Sequence, residues 1–205
     1  MNLSQALWLG PWWHNHYKMK PLTNIIILFI ALACNAQENS FVNHDLSLTE
    51  AIDSLNIDKS TISVLIDKSD FRLYVRTNDL VLKEYPVVFG KNTIDDKLMQ
   101  GDKCTPEGKF NMISKYPHKE WSKFIWINYP NEGSWKKHNA AKNEGRIPKG
   151  AKIGGEVGIH GVPKGMDFLI DTKYNWTLGC ISLKNKDVNE LYPFITKNTI
   201  IEIRK

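Results

Sequence analysis

The chain has 205 residues, 42% of them hydrophobic and 24% charged, and a formal charge of +5. These are ordinary values for one well-buried domain with additions. Residues 1–34 carry Lys18 and Lys20 and no acidic residue, so the remainder holds 25 basic against 22 acidic side chains. A surplus that small draws an acidic partner only weakly and does not indicate a nucleic-acid groove.

Residues 24–33, Asn-Ile-Ile-Ile-Leu-Phe-Ile-Ala-Leu-Ala, have the length of a signal-peptide core and are too short for a comfortable membrane span. Lys20 supplies the positive charge before this run, and Met19 is the better start, which makes residues 1–18 an upstream extension. An uncleaved N-terminal anchor is the alternative. Ala31-Leu32-Ala33-Cys34 resembles a lipobox, with Ala where Leu is usual, and would leave Cys34 as a lipid-bearing N-terminus. The small residues around Ala36 also suit ordinary signal peptidase. Residues 1–36 are thus read as extension plus secretion signal. The mature chain is expected in the periplasm or cell envelope, either anchored through lipid on Cys34 or secreted without an anchor. Cys104 and Cys180 remain, enough for one disulfide; with no CxxC or CxxH pair, a structural zinc site is not expected.

Residues 37–60 read as a linker and a short helix. Leu48, Ala51, Ile52 and Leu55 share one helical face, Ser47 is a candidate N-cap, and Glu50 is its capping-box partner. From residue 61 the period changes to two. Ile62, Val64 and Ile66, then Phe71, Leu73 and Val75, then the run from Leu80 to Phe89, predict strands of a β-meander joined at Lys68–Asp70 and Thr77–Asp79. Residues 91–104 read as a surface loop and Thr105-Pro106-Glu107-Gly108 as a turn. Strands are expected over 109–113 and 124–129. Residues 130–152 show no core periodicity and read as a solvated loop, with a basic lid meeting substrate carboxylates as the functional alternative. Ile153–Gly161 returns to strand character with dense glycines, which marks close backbone approach or a bulge. Gly179–Leu183 is a strand. Asn185 is expected to cap a helix over 186–195, and 199–203 is a last strand. His118 and His138 lie in polar stretches and are expected to be solvated.

Two residues in this frame carry chemistry. His160 ends a glycine-rich strand in Ile159-His160-Gly161. Cys180 follows a glycine in Asn175-Trp176-Thr177-Leu178-Gly179-Cys180-Ile181-Ser182-Leu183. A cysteine nucleophile needs its thiolate, and a neighbouring imidazole takes the proton. Acyl transfer also needs donors aimed at the developing oxyanion, for which the Gly179 and Cys180 amides are candidates. A small buried cysteine beside an unrelated histidine would share these residue types. The glycine flanks and the export signal favour the chemical reading.

Together with Tyr85-Pro86-Val87-Val88-Phe89-Gly90 and Thr105-Pro106-Glu107-Gly108-Lys109-Phe110, this series resembles the YkuD-type L,D-transpeptidase catalytic domain over roughly residues 61–205. The resemblance implies a mainly β fold, a sandwich or barrel of mixed sheets with one late α-helix. It implies Cys180 as nucleophile, His160 as base, and a backbone carbonyl at or near Gly161 orienting the imidazole. Thr177, Trp176 and Ser182 become substrate-binding candidates, with no metal and no organic cofactor. The implied substrates are peptidoglycan stem peptides, handled by a monomer with no nucleic-acid partner. The implied reaction is acyl transfer to an amine, including 3–3 cross-linking. A hydrolase of the same fold and a non-catalytic wall-binding module are the alternatives. Leu178 and Ser182 depart from the commonest family form, which has His and Arg or Asn there. A disulfide between Cys104 and Cys180 would silence the nucleophile, so Cys104 is read as a free thiol.

Overall fold

The computed structural model describes residues 41–205 apart from positions 44 and 79. The expected signal segment and Cys34 lie outside the described residues. Helix α1 spans Leu48–Ser54 and begins on the capping box read from the sequence: Ser47 accepts from the Glu50 amide while the Glu50 carboxylate accepts from the Ser47 amide. Strands β1 (Ile62–Asp67), β2 (Arg72–Thr77) and β3 (Leu80–Pro86) form the expected antiparallel meander. Then come β4 (Gly108–His118), β5 (Ser122–Ile127), helix α2 (Glu132–Asn143) and β6 (Gly158–His160). Helix α3 (Phe168–Asp171), β7 (Ile181–Ser182), α4 (Asn185–Leu191) and β8 (Ile200–Arg204) complete the order.

The eight strands make one mixed sheet in the order β3-β2-β1-β8-β4-β5-β6-β7. The last strand is central: β8 lies parallel to β1 and antiparallel to β4. Its alternating burial, with Ile201 and Ile203 inward, fits that position. The sheet also curls back on itself. Val88, just beyond edge strand β3, exchanges two backbone hydrogen bonds with Ser182 on the opposite edge strand β7, and Gly90 bridges to Thr177. Both edges are thereby covered where they meet. The larger of two buried apolar clusters runs from Leu48 and Ile52 of α1 through Ile66, Leu73, Phe110, Ile125 and Ile159 to Val188 and Leu191 of α4; Val88, Val162, Leu169 and Ile170 form the smaller.

The fold is mainly β, and it carries more helix than the one late helix expected of the domain. The solvated loop of 130–152 contains α2, capped by Asn131, whose side chain accepts from the Ser134 amide. Its buried face is Ser134, His138 and Ala141, a face without large apolar residues and hence without hydrophobic periodicity. His138 is accordingly not solvated but 1% exposed, its Nδ1 2.6 Å from the Leu98 carbonyl oxygen. Two further readings shift. Asn185 is the first residue of α4 and not its cap, and the strand expected over 153–161 pairs only at Gly158–His160.

Candidate active site

The parallel pairing of β6 with β7 sets Ile159 beside Ile181 and His160 beside Ser182. That register brings the ends of two segments about twenty residues apart to one place. His160 and Cys180 line the same cleft, of about 910 Å³, together with Lys97, Gln100, Trp121, Glu156, Trp176 and Leu178. The glycines of both segments are there for space. A Cβ on Gly158 would fall 2.5 Å from the Phe124 ring, and one on Gly161 2.6 Å from the Trp121 carbonyl oxygen. Gly179 has φ +143° and would set a Cβ 2.8 Å from the Cys104 carbonyl oxygen. The residue before Cys180 is therefore glycine on two counts, conformation and contact.

His160 is held on every side. Its ring stacks on Trp121 at 4.4 Å and near-parallel to Phe124 at 5.8 Å, and Trp176 meets it edge-on at 5.6 Å. Nδ1 lies 2.6 Å from the Gly161 carbonyl oxygen. That oxygen can only accept, so Nδ1 carries the proton and Nε2 keeps its lone pair. The Gly161 amide donates to the Trp121 carbonyl at 3.0 Å, and the Ser182 hydroxyl donates to the Gly161 carbonyl at 3.3 Å. The residue that orients the histidine is thus held at both its amide and its carbonyl. With 1% of its surface exposed, the ring pays for this burial in basicity, and desolvation pulls His160 down to about 4.

Cys180 is a free thiol, half-buried in the cleft, as Cys104 is a free thiol in the core. The Cys180 Sγ–H points to the Glu156 carbonyl at 3.6 Å. Desolvation pushes the thiol up to about 11, opposed by the Gly158 amide and the charge of Lys97 and reinforced by Glu156. A neighbouring imidazolium would lower this thiol. The structure reverses the direction: both groups are desolvated, and desolvation favours the neutral form of each. The resting pair is thiol and imidazole.

The remaining candidates divide. Trp176 lines the cleft and touches the imidazole edge-on. Thr177 borders the cleft, but its hydroxyl is engaged in the turn, donating to the Cys180 carbonyl at 2.7 Å and accepting from the Gly179 amide at 3.2 Å. The Gly179 amide is therefore turned inward and is not aimed at an oxyanion, in contrast to the expectation. The Cys180 amide has no acceptor among the described residues. Ser182 is fully buried and absent from the cleft lining, so it does not contact substrate; it positions the Gly161 carbonyl. Leu178, 71% exposed, stands at the cleft where the commonest family form has a polar residue. Among the described residues no group of three or more His, Cys, Asp or Glu side chains is placed to hold a metal ion.

Sequence reasoning missed three cleft residues, Trp121, Glu156 and Lys97, and the aspartate that holds the last of them. Trp121 sits in the β4–β5 turn, and Glu156 at φ +57° holds the carbonyl that meets the thiol. Lys97 and Asp102 lie in the segment read as a surface loop. The Asp102 carboxylate accepts from the Leu98, Met99 and Cys104 amides and from Lys97 at 2.7 Å, which ties that loop into a rigid wall. The aspartate between closely spaced amide donors was the available signal, in Lys97-Leu98-Met99-Gln100-Gly101-Asp102.

A curled mixed sheet carrying a cysteine and an oriented histidine in one cleft is the arrangement of an L,D-transpeptidase domain. The profile of the YkuD family, the L,D-transpeptidase catalytic domain, matches residues 61–203, and the chain belongs to that family. Among solved structures, the helical cell shape determining protein Pgp2 from Campylobacter jejuni aligns with a TM-score of 0.51 and 23% identity, over 71% of this chain and 48% of that one. Bd1075 from Bdellovibrio bacteriovorus aligns at 0.46 and 22%, over 70% and 48%. An L,D-transpeptidase from Mycobacterium smegmatis aligns at 0.46 and 16%, over 71% and 59%. The chain spans about half the length of the first two, and the likeness is one of fold. Comparison with curated protein sequences gives no match.

Proposed function

We propose that this chain is an exported L,D-transpeptidase that joins peptidoglycan stem peptides through a thioester on Cys180. The observation that carries the reading is a cysteine thiol and an imidazole, its Nδ1 fixed by the Gly161 carbonyl, on the wall of one cleft. Sγ adds to the carbonyl carbon of the donor peptide, its proton passes to His160 Nε2, and the carbonyl π pair moves onto oxygen. When this intermediate collapses the C–N bond breaks, His160 returns the proton to the leaving amine, and the thioester remains. An acceptor amine then attacks the thioester, giving up a proton to His160, and the thiol is restored by the reverse route. The N-terminal apolar run supports export, and the family resemblance supports stem peptides as substrate. By analogy with the helical cell shape determining protein from Campylobacter jejuni, the product would contribute to cell shape.

The test is incubation of the purified protein with tetrapeptide muropeptides. Cross-linked dimers and a Cys180-bound adduct are expected, both lost in Cys180→Ala. Trimmed monomers alone would show a hydrolase instead. An adduct that survives Cys180→Ala would remove Cys180 from the mechanism.

A further inference from the structure

Acyl transfer generates an anion twice at this site, first on sulfur and then on the carbonyl oxygen. The backbone supplies little for it: the Gly179 amide is spent on Thr177, leaving the Cys180 amide. Beside this gap stands an ammonium. Lys97 is 5% exposed and lines the cleft, its Nζ 3.8 Å from where a Cβ on Gly179 would lie. An ammonium has three N–H donors. One goes to Asp102 at 2.7 Å and one to the Met99 carbonyl at 3.1 Å; the third has no acceptor among the described residues.

We propose that Lys97 is a catalytic group of this cleft, its ammonium stabilising the thiolate of Cys180 and then the oxyanion formed on the attacked carbonyl. The second half of this role rests on the acyl-transfer reading above; the first does not. Asp102 is the positioning residue. Its carboxylate is already satisfied by three backbone amides, so it holds Lys97 in place without fully cancelling its charge. A desolvated cation close to a developing anion acts in a low-dielectric setting, where its effect is far larger than in water. The other ionisable groups facing Cys180 across the cleft are His160, Glu156 and Lys103. His160 is neutral, Glu156 opposes an anion, and Lys103 is exposed, which leaves Lys97 as the buried positive charge.

The test compares Lys97→Met and Lys97→Arg with the wild-type full chain. Alkylation of Cys180 by iodoacetamide, read by mass spectrometry on the peptide that bears it, reports thiolate supply without any substrate. Met is expected to slow alkylation at neutral pH on the order of tenfold, equivalent to one pKa unit, and Arg to restore it. With tetrapeptide as donor, Met is expected to lower kcat for acylation by about 10²–10³-fold at nearly unchanged KM. A folded Met variant that alkylates at the wild-type rate overturns the proposal. So does a rise in KM alone, which would make Lys97 an anchor for a substrate carboxylate. Lys97→Gln gives a check if the Met variant does not fold: it keeps a polar side chain without the charge and should slow alkylation as Met does, and wild-type alkylation in folded protein counts against the proposal. Failure of the wild type to form an adduct with tetrapeptide overturns the acyl-transfer reading and the oxyanion half of the role; the alkylation comparison still decides the thiolate half.

Discussion

As the proposed base, His160 has a working range set by its burial. Its conjugate acid forms only near pH 4, so the acid limb of kcat/KM is expected there and not near the ordinary histidine value of about 6.5. A pH–rate profile with its acid limb near 6.5 would sink this reading. The same burial has a stability consequence. Between about 6.5 and about 4 the unfolded chain binds a proton at this histidine and the folded chain does not. Stability therefore rises with pH across that window and is lost as pH falls through it. Urea midpoints measured at several pH values should show this slope flattened in His160→Gln. Gly179 makes a second prediction at the same scale. Gly179→Ala forces a Cβ onto the Cys104 carbonyl at an unfavourable φ, and a cost of about 1–3 kcal/mol is expected with loss of adduct formation. An alanine variant with wild-type melting temperature and activity would show that the turn relaxes freely. Cys180 and His160 were legible in the sequence because glycines mark both. Lys97, Trp121 and Glu156 were not, because each reaches the cleft only through tertiary contacts with segments distant in the chain.

Among the elements, legibility followed local signals. Helix α1 could be read because its cap and its apolar face are both written within ten residues. Helix α2 could not, since its buried face of Ser134, His138 and Ala141 resembles a solvated one; the Asn131 cap was the only local clue. Strands β6 and β7 have three and two paired residues, too short for a period; β6 is held between β5 and β7, and β7 between β6 and Val88. One side chain fastens three elements. Glu190 of α4 accepts from the Leu48 amide at the start of α1 and from Tyr85 of β3 at 2.9 Å, and it pairs with Lys83 at 3.4 Å. Removing it leaves a buried lysine and a buried phenol short of a partner, which is costlier than losing the bonds alone. Glu190→Ala is expected to lower stability by about 2–4 kcal/mol in urea unfolding, without moving the alkylation rate of Cys180. A change below about 0.5 kcal/mol would mean that water replaces the carboxylate at no cost.

For the whole molecule, the question is where the folding unit begins. The family match starts at residue 61, yet Leu48, Ala51 and Ile52 are at most 1% exposed and belong to the buried interior. Burying a leucine or isoleucine side chain contributes about 1.5–3 kcal/mol. Deleting α1 removes two such residues, uncovers the apolar surface beneath them, and strips Glu190 and Lys83 of their backbone partners on that side; Lys83 also donates to the Leu46 carbonyl. The summed loss is of the same order as the 5–15 kcal/mol that holds a domain together. A fragment of residues 61–205 is therefore expected to lose its fixed side-chain packing, with little near-UV circular dichroism and no cooperative urea transition. A fragment of 41–205 keeps α1 with its cap and is expected to unfold cooperatively. Equal midpoints for the two fragments would show that α1 rests on the fold as an accessory. Loss of the cooperative transition in the 61–205 fragment alone would place the start of the folding body at α1, ahead of the family match at residue 61.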